Sequence, residues 1–207
     1  MNLYYNLFNN YSDKQFRHSV ELQKERFVRW GLDMKGKTVL DIGCGGGRTL
    51  VAIRELGGKP IGLEIDENLA WIAQKRTGEK VWTASALDIP KPKETFDVVI
   101  CSSVAHHTPD PQKAIDEAYR VLKKGGKVYF GLYIPSFKRS VDLFMRKICK
   151  YIPFEVMFKL PMPANKKYAW LDNWYTKDMW IFSTAHWISM MKEFKSVSVI
   201  KDKPVRF

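Results

Sequence analysis

The sequence predicts an α/β fold in which a mostly parallel sheet is covered by helices on both faces, giving three layers. Short apolar runs, of which residues 39–42 are the clearest, have the composition of strands buried on both faces. Segments with apolar residues at helical spacing follow these runs. Such an alternation is typical of βαβ units, whose strands lie parallel. We expect one domain, because 207 residues are enough for a single sizeable core.

A glycine-rich turn follows the first strand. Gly43 and the consecutive Gly45, Gly46 and Gly47 separate this strand from a helical pattern that begins near Leu50. Glycine is needed where the chain turns with a positive φ or where a ligand lies against bare backbone. The helix that follows presents unpaired N–H groups to an anion. The loop therefore predicts a nucleotide-like ligand that carries a carboxylate or a phosphate.

The spacing of the glycines narrows the choice of ligand. Arg48 stands where a dinucleotide-binding fingerprint has its third glycine, which disfavours an NAD-dependent reductase. The sequence also lacks the lysine-containing pattern of a phosphate-binding P-loop. What remains is the alternation of Asp41 with Gly43, Gly45 and Gly47.

The other elements are predicted in chain order. Ser12 and Asp13 cap a helix that runs to Trp30, and Asp66 and Asp110 each precede a further helix. Strands are expected at residues 59–66, 81–84, 96–101, 128–134 and 197–200. A basic amphipathic helix is expected at 136–151 and another helix at 184–194.

The Asp41-x-Gly43-x-Gly45-x-Gly47 pattern closely resembles motif I of the class I S-adenosylmethionine-dependent methyltransferases, in the type 11 or UbiE-like branch that acts on small molecules. The runs GLEID at 62–66 and YRVLKKGG at 119–126 follow in the family's order, so that the resemblance covers roughly residues 36–134. It implies a Rossmann-like sheet of seven strands or a truncated form of it. It also implies S-adenosylmethionine as cofactor, S-adenosylhomocysteine as product, and methyl transfer to an O, N or C nucleophile.

The resemblance also implies which residues hold the cofactor. Glu64 takes the position of the ribose-binding acid, where a carboxylate accepts hydrogen bonds from both hydroxyls. The residues expected to bind the cofactor are Asp41, Gly43, Cys44, Gly45, Glu64, Ile65, Ser85, Ala86, Leu87 and Ser102.

One position departs from the family pattern. Ser85 stands where family members usually carry an acid that accepts a hydrogen bond from the adenine amino group. A neutral hydroxyl is a weaker acceptor than a carboxylate, so the adenine is expected to depend on the backbone of Ala86 and Leu87. Asp88 replaces the missing acid only if the loop is re-routed.

His107 is the candidate general base. Imidazole suits proton removal near neutral pH, and the family often has a histidine facing the pocket at this position. The same histidine also recurs as a structural residue at the start of the next helix, and His106 is the weaker candidate. A base is useful only for a hydroxyl or an acidic carbon, because alignment alone provides much of the acceleration in methyl transfer.

The chain is divided by these patterns into four parts of one methyltransferase domain. A helical cap at 1–35 precedes a cofactor-binding core at 36–134, a substrate-lid insertion at 135–182, and a C-terminal helix and strand at 183–207. The cap offers Tyr4, Tyr5, Tyr11 and Arg17 as lid residues, although simple packing is the favoured role for them. Aromatic residues of the insertion either cover the acceptor or pack against the sheet.

The formal net charge of +12 is the unusual bulk property of the sequence. Residues 133–207 contain 14 Lys and Arg against 6 Asp and Glu, so the excess lies in the C-terminal third. A basic surface attracts RNA or an anionic membrane. A solvated, solubilising surface is the favoured interpretation of this charge, and a small-molecule acceptor is the favoured partner.

Cysteine spacing and hydropathy indicate which further classes of protein the sequence does not resemble. Cys44, Cys101 and Cys149 are odd in number and widely separated, which predicts neither a disulfide framework nor a metal site. The sequence shows no signal peptide and no apolar run of membrane-spanning length, so a cytoplasmic location is expected. Two alternatives to a small-molecule enzyme stay open: an RNA methyltransferase, and a non-catalytic S-adenosylmethionine-binding protein.

Overall fold

A computed structural model describes residues 12–161, 174–175 and 178–200. The predicted lid residues Tyr4, Tyr5 and Tyr11 lie outside these ranges, as does the end of the chain at 201–207. The chain divides into two compact units, Met1–Leu132 and Tyr133–Phe207. The finer division into cap, core, lid and C-terminal segment stays a prediction.

The first unit contains a parallel sheet. Its five strands among the described residues are β1 (Thr38–Ile42), β2 (Lys59–Glu64), β3 (Val81–Thr83), β4 (Phe96–Ser102) and β5 (Leu122–Gly131). Their order is β3-β2-β1-β4-β5, and all neighbouring pairs are parallel. This arrangement confirms the predicted Rossmann-like α/β fold, and the described ranges contain five of the strands of its sheet.

Helices surround the sheet and continue into the second unit. In the first unit they are α1 (Asp13–Arg29), α2 (Arg48–Glu55), α3 (Glu67–Thr77) and α4 (Pro111–Val121), with a 3₁₀ turn at Ala105–His107. In the second unit they are α5 (Phe137–Cys149), α6 (Phe154–Lys159) and α7 (Thr184–Ser189).

The predicted caps are present at the helix N-termini. The Ser12 hydroxyl accepts a hydrogen bond from the Gln15 N–H, and the Gln15 side chain accepts one from the Ser12 N–H, which together form a capping box. Asp66 accepts a hydrogen bond from the Leu69 N–H at 2.9 Å, and Asp110 caps α4 in the same way. These side chains satisfy N–H groups that the first turn of a helix leaves unpaired.

The main core cluster joins α1 and α2 to the sheet. Phe16, Val20 and Phe27 of α1 belong to the same cluster of buried side chains as Ile53 of α2 and Ile100 of β4. Beside this cluster, the rings of Trp30 and Tyr129 stack with their centroids 3.8 Å apart. The cap helix is therefore an integral part of the core of the first unit.

The fifth strand begins earlier than the sequence predicts. Residues 122–127 were expected to end a helix, with the strand starting at 128, but α4 ends at Val121 and β5 starts at Leu122. The Thr95 N–H donates to the Val121 carbonyl at 2.8 Å, which draws the chain alongside β4 immediately. Phe96 pairs with Leu122 but Val98 pairs with Lys127, so a bulge absorbs the extra residues.

The predicted strand at 197–200 is wrong, because the structure has no regular secondary structure there. Val199 and Ile200 are exposed, so this β-branched run is not covered by a neighbouring strand. The helix expected at 184–194 is also shorter, since it ends at Ser189 and continues as turns.

Two adjacent residues of α1 provide a test of this packing. Phe27 is fully buried whereas Val28 is 69% exposed. We expect Phe27→Ala to lower the free energy of unfolding by about 3–5 kcal/mol, because it removes ring contacts and leaves a cavity. Urea denaturation followed by circular dichroism measures the change. Val28→Ala is the matched control, and an equal loss in both variants would contradict the assigned orientation of α1.

Candidate functional site

A cleft opens at the carboxyl ends of β1 and β4, where ligands bind in open parallel sheets. Nine residues line it: Gln23, Asp41, Gly43, Cys44, Gly45, Gly46, Arg48, Thr49 and Ser102. Five of the residues predicted to bind the cofactor are therefore brought together here, namely Asp41, Gly43, Cys44, Gly45 and Ser102. The glycine turn forms one wall of the cleft.

The turn at Gly43 requires glycine for two independent reasons. Its φ is +69°, in the left-handed region that side chains disfavour. A Cβ at this position would also overlap the Cγ2 of Val104. The Gly43 N–H donates to the Leu63 carbonyl at 2.6 Å and thereby ties the turn to β2. The absence of a side chain at Gly43 therefore lets the turn pack directly against Val104.

Glu64 is the buried acid at the end of β2. One oxygen, Oε2, accepts a hydrogen bond from the Gly45 N–H at 2.9 Å, and Oε1 accepts one from the Asp66 N–H at 3.2 Å. Burial raises the pKa of Glu64, and the N–H groups of Gly45, Asp66 and Ile65 oppose that rise. These donors fix the orientation of the carboxylate and leave further lone pairs on both oxygens.

Asp41 is the second buried acid and faces the cleft from β1. Its Oδ2 atom is buried and has no hydrogen-bond partner among the described residues. Burial raises the pKa of Asp41 to about 8, while the Arg48 charge and the Thr49 hydroxyl act in the opposite direction. A buried acceptor without a partner is destabilising. A cationic ligand group is the chemistry that would satisfy it.

Sequence reasoning missed Gln23, which reaches the cleft from α1. Its side chain is 4% exposed and is one of the cleft-lining residues. A buried amide offers both donors and an acceptor to a bound ligand. The only signal in the sequence was a polar residue at a core-facing position of the helix, three residues after Val20 and four before Phe27.

The residues predicted to surround the adenine lie outside this cleft lining, in the segments after β2 and β3. The side chain of Ile65 is exposed, which leaves its apolar surface open to a planar ring. The Ser85 hydroxyl accepts a hydrogen bond from the Leu87 N–H at 3.1 Å and so stabilises its own loop. Ala86 is buried, whereas Asp88 is exposed.

The segment after β4 carries the candidate base. Ser103 has a φ of +62°, a strained value for a residue with a side chain, and such strain is concentrated at functional sites. His107 lies in the following 3₁₀ turn, where its N–H donates to the Val104 carbonyl at 2.7 Å. Its ring is half-buried and packs against that of His106, with centroids 4.3 Å apart. His107 is not one of the residues that line the cleft.

The three cysteines are buried and unbridged. Burial raises the pKa of Cys101 to about 12 and raises that of Cys44 as well, so both thiols stay protonated and unreactive near neutral pH. In the ranges that the structure describes, no group of His, Cys, Asp and Glu side chains is arranged to hold a metal ion. Every helix within those ranges is too short or too polar to cross a lipid bilayer.

Comparison with known proteins finds a family match within the first unit. The family model described as a methyltransferase domain matches residues 40–130, which include the glycine turn, Glu64 and the segment after β4. Over these residues the chain is similar to the methyltransferase domains of class I S-adenosylmethionine-dependent enzymes.

Two curated relatives are named ubiquinone biosynthesis O-methyltransferase. The protein of Coxiella burnetii is 29% identical over 126 residues, which are 58% of this chain and 54% of that protein. That of Pseudomonas entomophila is 35% identical over 120 residues, or 55% and 51% of the two chains. The chain therefore spans about half the length of the curated relatives that it matches.

Solved structures show the same fold. A SAM-dependent methyltransferase from Thermotoga maritima has a TM-score of 0.58 and 25% identity, covering 92% of this chain and 78% of that one. The YcgJ protein from Bacillus subtilis has a TM-score of 0.59 and 22% identity, covering 86% and 67%. The likeness to the second structure concerns the fold alone.

The buried Asp41 makes a prediction about stability that requires no ligand. With a folded pKa of about 8 against 3.8 for an unperturbed group, the folded chain keeps a proton that the unfolded chain releases between these values. The free energy of unfolding should therefore fall as pH rises from 4 to 8, by up to about 1.4 kcal/mol per pH unit from this group. Urea denaturation at pH 6 and pH 9 should show a smaller decrease in Asp41→Asn than in the wild type.

Asp116→Asn is the control for this measurement, because Asp116 is an exposed carboxylate on α4. It should retain the wild-type pH dependence. An identical pH dependence in the wild type and in Asp41→Asn would show that Asp41 is already ionised in the folded chain.

Proposed function

We propose that this chain binds S-adenosylmethionine in the cleft beside the glycine turn and catalyses transfer of its methyl group to a small-molecule acceptor. The observation that carries the proposal is the placement of two buried carboxylates, Asp41 and Glu64, on either side of the turn. One lacks a partner and the other is oriented by backbone donors. The matched methyltransferase family model includes both residues.

Asp41 suits the ammonium group of the methionine part of the cofactor. An ammonium beside Oδ2 would supply the missing hydrogen bond and favour the ionised carboxylate. Affinity should therefore increase as pH rises toward the pKa of about 8, until the ammonium itself loses its proton.

Arg48 and the start of α2 suit the carboxylate of the same methionine part. Gly46, Arg48 and Thr49 line the cleft at the N-terminus of this helix, where N–H groups and the dipole attract an anion. The buried amide of Gln23 faces the same cleft from α1 and adds a neutral donor. Each charged group of the methionine part thus lies beside a protein group of the opposite charge.

Glu64 suits the two ribose hydroxyls. Its oxygens already accept hydrogen bonds from the N–H groups of Gly45 and Asp66. These bonds hold the carboxylate plane in place before the cofactor binds. Preorganisation of this kind lowers the entropy lost on binding. Ile65, Ala86 and Leu87 provide apolar surface and backbone groups for the adenine, while Ser85 holds the loop through the Leu87 N–H.

When bound, S-adenosylmethionine supplies an electrophilic methyl group attached to a positively charged sulfur. The residues around the glycine turn contribute by holding the donor. Ser102 and Ser103 lie at the carboxyl end of β4, the edge at which ligands of open parallel sheets bind. Alignment of donor and acceptor accelerates a reaction as strongly as an effective reactant concentration on the order of 10⁵ to 10⁸ M. O, N and C acceptors all stay open, and the relatives named for O-methylation favour a hydroxyl.

Calorimetry tests the cofactor assignment directly. We expect binding of S-adenosylmethionine and S-adenosylhomocysteine, and no binding of NAD because Arg48 replaces the third glycine of the dinucleotide fingerprint. A radiolabelled methyl-donor assay against separate pools of small hydroxylated aromatics, amines and RNA then identifies the acceptor. Binding of the cofactor without transfer to any pool would favour a non-catalytic protein, and absence of binding would disprove the proposal.

The ribose role of Glu64 has its own test. We expect Glu64→Gln to weaken S-adenosylmethionine binding by about tenfold or more, because the variant loses charge-assisted hydrogen bonds. It also turns an amide toward the backbone donors of Gly45 or Asp66. Glu67→Gln, an exposed acid in the first turn of α3, is the control. Unchanged affinity in Glu64→Gln would remove Glu64 from the cofactor site.

His107 is proposed as general base where the acceptor is a hydroxyl or an acidic carbon. A protonated imidazole cannot accept a proton, so kcat should fall at acidic pH in the wild type. We expect His107→Ala to lower kcat and to abolish that pH dependence, with little change in the affinity for S-adenosylmethionine. If His107→Ala kept the wild-type rate and pH profile, His107 would not be the general base, and alignment of donor and acceptor would account for catalysis.

A further inference from the structure

An apolar stripe runs along the exposed side of α5 in the second unit. Phe137, Val141, Phe144 and Ile148 recur at spacings of four, three and four residues and therefore lie on one face of the helix. Phe137 is 87% exposed and Phe144 is 63% exposed, and Val141 and Ile148 are exposed as well. The stripe is about 16 Å long, from the helical rise between its ends. An amphipathic helix of a globular protein normally buries such a face.

Two side chains of α5 are buried, namely Asp142 and Cys149. Asp142 is 2% exposed and accepts hydrogen bonds from the Arg139 guanidinium at 2.8 Å and from the Trp174 indole N–H at 3.3 Å. The guanidinium also lies 3.3 Å from the centroid of the Tyr133 ring. Trp174 and Tyr133 lie outside α5, so turning the helix over would break the contacts that they make with this pair. This network holds the helix with its apolar stripe outward.

Charge around the stripe indicates what covers it. Lys138 and Lys147 are exposed and lie about a quarter-turn to either side of the stripe, and Lys150 follows the end of the helix. The single acid within α5 is Asp142, which is buried and paired. The exposed surface of this described helix is therefore apolar in the middle and positive along both borders.

We propose that α5 lies flat on an anionic lipid surface. Phenylalanine side chains along the stripe would enter the boundary between headgroups and acyl chains, and the bordering lysines would contact the negatively charged headgroups. A second copy of the chain fits less well, because pairing this face with itself would bring the lysines together. RNA also fits less well, because the exposed centre of the face is apolar and the helix arginines are half-buried on its other side.

Vesicle sedimentation of the full chain, without any methyl donor, tests the proposal independently of the proposed enzymatic activity. We expect binding to vesicles of phosphatidylcholine with phosphatidylglycerol, and much weaker binding to phosphatidylcholine alone. Phe137→Ser/Phe144→Ser should weaken partitioning by at least about tenfold, because most of the inserted apolar area is lost. Lys138→Gln/Lys147→Gln should weaken it by about fivefold per lysine at low salt.

Matched controls separate the stripe from exposed residues elsewhere. Val28→Ser/Trp71→Ser removes two exposed apolar side chains from the first unit, and Lys93→Gln/Lys124→Gln removes two exposed charges there. Both should bind vesicles as the wild type does. Serine has a helix propensity close to that of valine and phenylalanine, and circular dichroism confirms that each variant is folded.

A fluorescent label reports insertion at a defined residue. Because Cys44, Cys101 and Cys149 are all buried, Phe144→Cys introduces one accessible thiol for a nitrobenzoxadiazole label. Its emission should shift to the blue on anionic vesicles, while a label at Val28→Cys should not respond. Equal responses at both sites would overturn the proposal, as would unchanged vesicle binding by Phe137→Ser/Phe144→Ser.

Two further outcomes would also overturn it. A dimer in analytical ultracentrifugation that Phe137→Ser/Phe144→Ser abolishes, without vesicle binding by the wild type, would assign the stripe to a second copy. Retention on RNA that Lys138→Gln/Lys147→Gln abolishes, again without vesicle binding, would assign the surface to nucleic acid.

Discussion

The hydrogen bond from the Gly45 N–H to the Glu64 carboxylate joins the two loops on which the proposed cofactor site depends. It connects the turn after β1 to the end of β2, and the Gly43 N–H bond to the Leu63 carbonyl strengthens the same connection. Both bonds require the unusual backbone of the turn, which only glycine adopts without strain. The position of the turn, the orientation of Glu64 and the start of α2 are therefore set together.

Asp41 illustrates how the proposed binding role of a residue conflicts with stability. Its carboxyl is buried at the end of the central strand, and one of its oxygens has no hydrogen-bond partner among the described residues. Replacing it by an apolar residue would remove a buried acceptor, yet would also remove the group that suits a cationic ligand. An unsatisfied group in the core is thus explained most simply by a ligand that completes it.

Most of the first unit could be predicted from local pattern, because its strands are short apolar runs and its helices carry capping residues such as Ser12 and Asp66. Gln23 could not be predicted as a site residue, since its approach to the cleft depends on how α1 packs against the sheet. The early start of β5 depends on pairing with β4 and not on local propensity. The run at 197–200 has strand composition, but no strand covers it in the described residues.

The second unit shows that amphipathicity predicts a helix but does not predict the orientation of that helix. A strong apolar periodicity in residues 137–148 predicts a helix correctly, but it does not tell which face points inward. The contacts of Asp142 with Trp174 and of Arg139 with Tyr133 decide the orientation, because both partners lie outside the helix and turning the apolar stripe inward would break these contacts. The burial of Asp142 and the exposure of the phenylalanine side chains therefore follow from the same contacts. The outward stripe needs an apolar partner that the described residues of this chain do not provide.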